Sequence, residues 1–216
     1  MRFTSDELMF LTAMTKGPVP FGIFFDKRRG PKAAEAAANA KRDLIKKEIL
    51  SENGITQKGF AVIKLWEDYR NADKHLVVNN MVIGLLENRR CVLIVRDENG
   101  FEIASGDSTG VMLGFLKNYP SLRRADKKVE VSNPSEKMNY EECRKDISNY
   151  GNNYFTIGVF PSNKRPGEER FIYWNDDYFF SYNPNTHIRI SIEPSDVRSF
   201  ILESLNLNKE VLANGL

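Results

Sequence analysis

The sequence predicts an α+β fold of two pseudo-symmetric lobes, each an antiparallel β-meander packed with helices. Three observations predict it. The stretch from Thr56 to Tyr119 reads as a helix, three antiparallel strands and a second helix. A capped helix, four short strands and a closing amphipathic helix follow in the same order between Asn133 and Leu205. A polar, basic stretch from Ser121 to Lys128 separates the two. The expected organisation is an N-terminal lobe over 1–120, a connector over 121–132 and a C-terminal lobe over 133–216.

Each element has a local cause. Thr4 to Glu7 is a capping box with Phe3 and Leu8 in staple positions, so a helix starts there with Leu8, Leu11 and Met14 on one side and stops at Gly17-Pro18. Val19 to Phe25 is an apolar run that its prolines keep irregular or at an edge. An alanine-rich helix follows from about Ala33 to Leu50. Its first half reads as solvent-facing, with contact through Leu44, Ile45, Ile49 and Leu50, and Gly54 suits the turn beyond it. The helix from Thr56 places Phe60, Ile63, Trp66 and Tyr69 on one face.

The strands Leu76–Leu86, Cys91–Val95 and Phe101–Ala104 come next, with Asn99-Gly100 expected as a type I′ turn. Asp107 and Ser108 cap a helix that turns Val111, Met112, Phe115, Leu116 and Tyr119 inward. In the second half, Asn133-Pro134-Ser135-Glu136 reads as a cap for a helix with Tyr140, Cys143, Ile147 and Tyr150 on one face. Strands are expected at Tyr154–Phe160, Phe171–Asn175, Tyr178–Tyr182 and Ile188–Ile192. The last helix carries Val197, Phe200, Ile201 and Leu205 at helical spacing.

Composition narrows the function. At 216 residues and 41% hydrophobic content the chain can bury a sizeable core, and a net charge of +2 demands no polyanionic partner. The balance shifts mildly along the chain, from eleven Lys/Arg against seven Asp/Glu in 1–60 to eight against eleven in 140–216. No apolar run approaches the roughly 20 residues that cross a bilayer, and the first residues have no signal-peptide pattern, so a cytoplasmic location is expected. Cys91 and Cys143 stand apart in apolar surroundings and are expected to be reduced core residues. His75 and His187 have no metal-ligand spacing, and no cofactor motif is present, so neither a metal nor a cofactor is expected.

Gly106-Asp107-Ser108-Thr109-Gly110 has the form of a nucleophile elbow, with Asp176, Asp177 and His187 downstream in triad order. An elbow tops a strand of a parallel sheet, whereas the Asn99-Gly100 hairpin makes the preceding strand antiparallel. A helix cap is therefore expected there. A Cys143–His187 dyad would put a thiolate on an apolar helix face, where it is poorly stabilised. No catalytic residue is assigned.

Two binding functions remain. The segment 44–105 has the order of a winged helix with Thr56–Arg70 as recognition helix. Its Lys58, Lys64 and Arg70 face Glu67 and Asp68, leaving little charge for phosphates. Lys27-Arg28-Arg29, Arg123-Arg124 and Lys127-Lys128 read as solvated loop charges. The aromatic run from Phe171 to Tyr182 exceeds what one face of a hairpin can bury, and it predicts a protein interface carried by Tyr173, Trp174, Tyr178 and Phe180. Alternation puts Phe171, Tyr173 and Asn175 on one face and Ile172 and Trp174 on the other.

Two long segments carry a family resemblance. Asn99-Gly100-Phe101-Glu102-Ile103-Ala104 leading to Leu113-Gly114-Phe115-Leu116-Lys117-Asn118-Tyr119-Pro120, then Val129-Glu130-Val131, resembles the first half of the EspG-type chaperones of type VII secretion. Ile190-Ser191-Ile192-Glu193-Pro194-Ser195-Asp196-Val197 resembles the end of their second half. The resemblance implies a pseudo-twofold, non-enzymatic protein that shields an apolar helical tip of a secretion substrate in the cytoplasm. The Lys- and Asn-rich composition resembles a Gram-positive branch, which implies a WXG-type or LXG-type helical client.

Overall fold

A computed structural model describes residues 1–25, 29–127, 135–151, 153–161 and 167–208. The elements in order are β1 (Arg2–Phe3), α1 (Ser5–Met14), α2 (Pro31–Lys46), β2 (Leu50–Ser51), β3 (Gly54–Ile55), α3 (Gln57–Arg70), β4 (Lys74–Val78), β5 (Met81–Leu85), β6 (Arg90–Asp97), β7 (Gly100–Asp107), α4 (Ser108–Asn118), a 3-10 turn (Pro120–Arg123), β8 (Glu136–Lys137), α5 (Tyr140–Asn149), β9 (Tyr154–Pro161), β10 (Glu168–Trp174), β11 (Phe179–Asn183), β12 (Ile188–Ile192) and α6 (Pro194–Ser204). The fold is α+β, built on antiparallel strands. Helix, four strands, helix occurs twice along the chain, from α3 to α4 and from α5 to α6.

The chain divides into two compact units, one of Met1–His75 and Asn80–Gly106, the other of Leu76–Asn79 and the described residues from Asp107 onward. This division falls earlier than the expected boundary at residue 120, and α4 belongs to the second unit. The reason is local packing: Phe115 and Tyr119 of α4 place their rings 5.7 and 4.7 Å from that of Phe155 on β9. The described part of the expected connector is no free linker either. Leu122 is fully buried, and the Arg198 guanidinium of α6 donates to the carbonyls of Leu122 and Arg124 at 2.5 and 3.1 Å. Residues 128–134, including Val129-Glu130-Val131 and Asn133-Pro134, lie outside the described residues.

In the first unit the sheet runs β1, β7, β6, β5. The helices α1, α2 and α3 supply Leu8, Leu11, Leu44, Trp66 and Tyr69 to its core, which meet Phe3, Val92, Ile94 and Phe101 from the strands. The capping box at Thr4 and Glu7 is present in both directions, at 3.2 and 2.7 Å. The apolar stripes are narrower than expected: Met14 and Phe60 are 42% and 69% exposed, while Ala36 and Ala40 of the supposedly solvated half of α2 are buried. Small alanines let that helix approach its neighbour closely, so they count as core despite their weak hydrophobicity.

The expected strand Leu76–Leu86 is two strands, β4 and β5, broken at Asn79-Asn80 where Asn79 takes φ 50°. Asparagine tolerates this left-handed conformation. Its amide also holds the turn against β9, accepting from the Thr156 N–H and donating to the Tyr119 hydroxyl, both at 2.9 Å. The type I′ turn lies one hairpin earlier than expected, at Asn88 and Arg89 (φ 56° and 61°), closed by Arg90 N–H to Glu87 carbonyl at 3.2 Å. At the β6–β7 hairpin only Gly100 has positive φ, and the Asn99 N–H donates instead to Asp97 Oδ1 at 2.8 Å.

In the second unit β9, β10, β11, β12 and β8 are adjacent and antiparallel. The cap of α5 is Asn139, reciprocated by Glu142 at 2.9 and 2.7 Å, and the expected cap residue Asn133 lies outside the described residues. Glu136 is instead drawn into β8 opposite Arg189 of β12.

Candidate partner-binding surface

The aromatic run is spent mostly on the core of the second unit. The register pairs Phe171 with Tyr182, Tyr173 with Phe180 and Trp174 with Phe179, so alternate rings point to opposite faces of the sheet. One face lies under α5, where Tyr173, Phe180 and Tyr182 pack with Cys143 and Ile147. On the other, Trp174 stacks on Phe179 at 5.5 Å and meets Tyr119 of α4 edge-on at 5.9 Å. Because both faces are covered, the run needs no partner to bury it. Tyr173, Trp174 and Phe180 are 0%, 6% and 5% exposed, which overturns their expected role as contact residues.

A carboxylate organises the face under α5. Asp146 Oδ2 accepts from the Tyr173 hydroxyl at 2.6 Å and from Arg189 Nη1 at 2.7 Å. Arg189 also pairs with Glu136, and its guanidinium lies 4.8 Å from the Phe180 ring centre. Burial, then the Asp146 carboxylate, pushes the Tyr173 phenol far above its ordinary value. Burial opposes the Arg189 charge, and the bonds to Asp146 and Tyr173 more than offset it. The Cys143 thiol beside them is pushed up to about 11, by burial first and Asp146 second, so it stays a thiol.

What this face leaves open is a group of tyrosines. Tyr178, the fourth expected contact residue, is 48% exposed, with its ring 6.3 Å from Phe180. Tyr154 of β9, in register with Tyr173, is 44% exposed. Half-buried Tyr150, at the end of α5, lies 5.3 Å from Phe180 and 6.0 Å from Tyr173. Tyr150 and Tyr154 were missed as surface residues. The signal was available in the period of two, since Tyr154 belongs to the same face as Tyr173 and sits at the strand end.

The other expected features separate. Ser108 is buried in the first turn of α4, whose cap is Asp107, accepting from Gly110 N–H at 2.9 Å. His187 Nδ1 lies 3.1 Å from the Tyr182 hydroxyl. Asp176 and Asp177 pair with Arg124 at 3.6 Å and Lys127 at 2.7 Å, so these cations anchor the chain after α4 to the β10–β11 turn and are not free loop charges. On α3, Lys58 pairs with Glu48 at 3.1 Å, Lys64 with Asp68 at 2.7 Å, and Arg70 is buried. Among the described residues no group of three or more His, Cys, Asp or Glu is placed to hold a metal, and no helix is long and apolar enough to cross a membrane.

A family model described as a domain of unknown function, DUF5081, matches residues 1–207. The chain belongs to this family. The DUF5081 match takes in both compact units up to residue 207. No curated protein matches the chain.

Proposed function

We propose that this DUF5081 chain is a non-enzymatic accessory factor that binds a helical secretion protein through the surface of Tyr150, Tyr154 and Tyr178. The exposed tyrosine group on a rigid aromatic base carries the reading. Tyrosine presents a large contact area with little entropy to lose and a hydroxyl at its rim, the combination favoured where proteins meet. The helix, four strands, helix order in both halves and the EspG-like segments support a chaperone acting in the cytoplasm on a WXG-type or LXG-type client. The pairing of Lys58 and Lys64 counts against the winged-helix alternative, because cations already neutralised release few counterions from a duplex.

The test is calorimetric titration with a purified WXG-type and a purified LXG-type helical protein, alongside duplex DNA at low salt. Saturable binding to one helical protein, weakened at least about tenfold by Tyr154→Ala with Tyr178→Ala, is the expected outcome. Binding unaffected by that pair would misplace the surface. Duplex binding lost on changing Lys58 and Lys64, with no helical protein bound, would replace the chaperone by a regulator.

A further inference from the structure

The segment after α1 is held in an unusual way. Its backbone carbonyls are captured by side chains at the C-terminal end of α3: Arg70 Nε donates to Pro18 and Nη2 to Gly17 at 2.7 and 2.8 Å, and the Tyr69 hydroxyl donates to Phe21 at 2.5 Å. His75 completes the clamp. Its ring stacks on Phe21 at 4.9 Å and 25°, meets Tyr69 edge-on at 5.0 Å, and its Nε2 donates to the Tyr69 carbonyl at 3.0 Å. The segment so held presents Val19 and Phe24 to solvent, at 81% and 83% exposure.

We propose that His75 is an acid-sensitive latch whose protonation releases the Gly17–Phe25 segment from the end of α3. The imidazole is only 4% exposed, and among the described residues no carboxylate forms an ion pair with it. The charged and titratable groups on the elements around it are Lys58, Lys64, Glu67, Asp68, the Tyr69 phenol and the Arg70 guanidinium of α3, Lys74 beside it on β4, and the exposed Asp73 before that; Lys58 and Lys64 pair with Glu48 and Asp68, and Glu67 acts on Arg70. The Gly17–Phe25 segment has none, and neither does β5, which meets Tyr69 through Gly84. No carboxylate is bonded to the ring, whose polar partner is the Tyr69 carbonyl, so an added proton is buried under Phe21 without a bonded counter-ion.

Burial holds the imidazole below its ordinary value, against the opposing bond to Tyr69. With the folded value depressed, the latch is at full strength above the free imidazole value near 6.5 and weakens as pH falls below it. One pH unit below that value the open form gains at most about tenfold.

Limited proteolysis at Phe21, each rate divided by that of a free peptide of residues 15–25 at the same pH, reads the latch at pH 7.5 and 5.5. The normalised rate should rise by up to about tenfold at the lower pH. In His75→Phe, which keeps the stack and cannot titrate, the rise should vanish. A wild-type rate that is flat with pH, or an equal rise in His75→Phe, overturns the proposal. Ring-proton titration of wild-type His75 gives a second reading that needs no variant: a midpoint below that of a free imidazole supports the latch, and one at or above it refutes it.

Discussion

The two units hold themselves together by different chemistry although helix, four strands and helix recur in both. In the first, buried polar groups reach outward to irregular backbone: Glu7 caps α1 and pairs with Lys47 at 2.7 Å, and Arg70 closes the turn after α1. In the second, the polar groups turn inward, where Asp146 ties a helix to two strands through Tyr173 and Arg189. In the first unit the buried guanidinium of Arg70 is committed to the Gly17-Pro18 backbone. A sheet covered on both faces spends its charge on clamping a layer. The difference shows that element order does not decide which residues are free to bind a partner.

Truncating the aromatic core should produce the largest effect. Tyr173→Ala or Trp174→Ala should cost about 3–5 kcal/mol in urea denaturation, whereas Tyr178→Ala should stay within about 0.5 kcal/mol. If Tyr178→Ala destabilises as much as its neighbours, the division into buried base and exposed surface is wrong. The contrast also fixes how binding must be tested, since a loss of affinity in a Tyr173 variant would report unfolding.

The inward and outward uses of charge can be separated next. Asp146→Ala strands the Arg189 guanidinium and the Tyr173 hydroxyl, and with both ionic side chains 18% exposed the expected cost is about 2–3 kcal/mol of global stability. Arg70→Met should cost less, about 1–2 kcal/mol, because the carbonyls it leaves can turn to water. Its effect should appear as faster proteolysis confined to residues 15–25. A global loss from Arg70→Met equal to that from Asp146→Ala would erase the distinction between the units.

Much of this architecture was legible because its causes are local. The Thr4–Glu7 box, the Asp107 cap and the faces of α6 follow from three or four adjacent residues. The period of two assigned Tyr173 and Trp174 to opposite faces, and the register agrees. What was not legible depended on distant partners. Asn133 to Glu136 and Asn139 to Glu142 have the same cap pattern, and it is Arg189, more than fifty residues away, that draws Glu136 into β8. Burial of the aromatic run required knowing that α4 and α5 cover opposite faces. Phe60 keeps helical spacing with Trp66 yet lies outside the core. The surface was half legible for the same reason: Tyr178 follows a visible turn, while Tyr150 joins it only once α5 is docked.

The two hairpin turns of the first unit extend the comparison to a single residue. Asparagine-glycine was expected to supply the type I′ turn, yet Asn88-Arg89 adopts it, with Arg89 at φ 61°. A side chain in this region costs about 1 kcal/mol, and glycine does not pay it. Gly100 serves a different need, because a Cβ there would stand 2.3 Å from the Phe3 carbonyl oxygen. Arg89→Gly should therefore raise stability by about 0.5–1 kcal/mol, while Gly100→Ala lowers it and loosens β1 from β7. The smaller effect is the sharper test: an Arg89→Gly variant less stable than wild type would mean that the arginine side chain makes a contact outweighing its backbone strain.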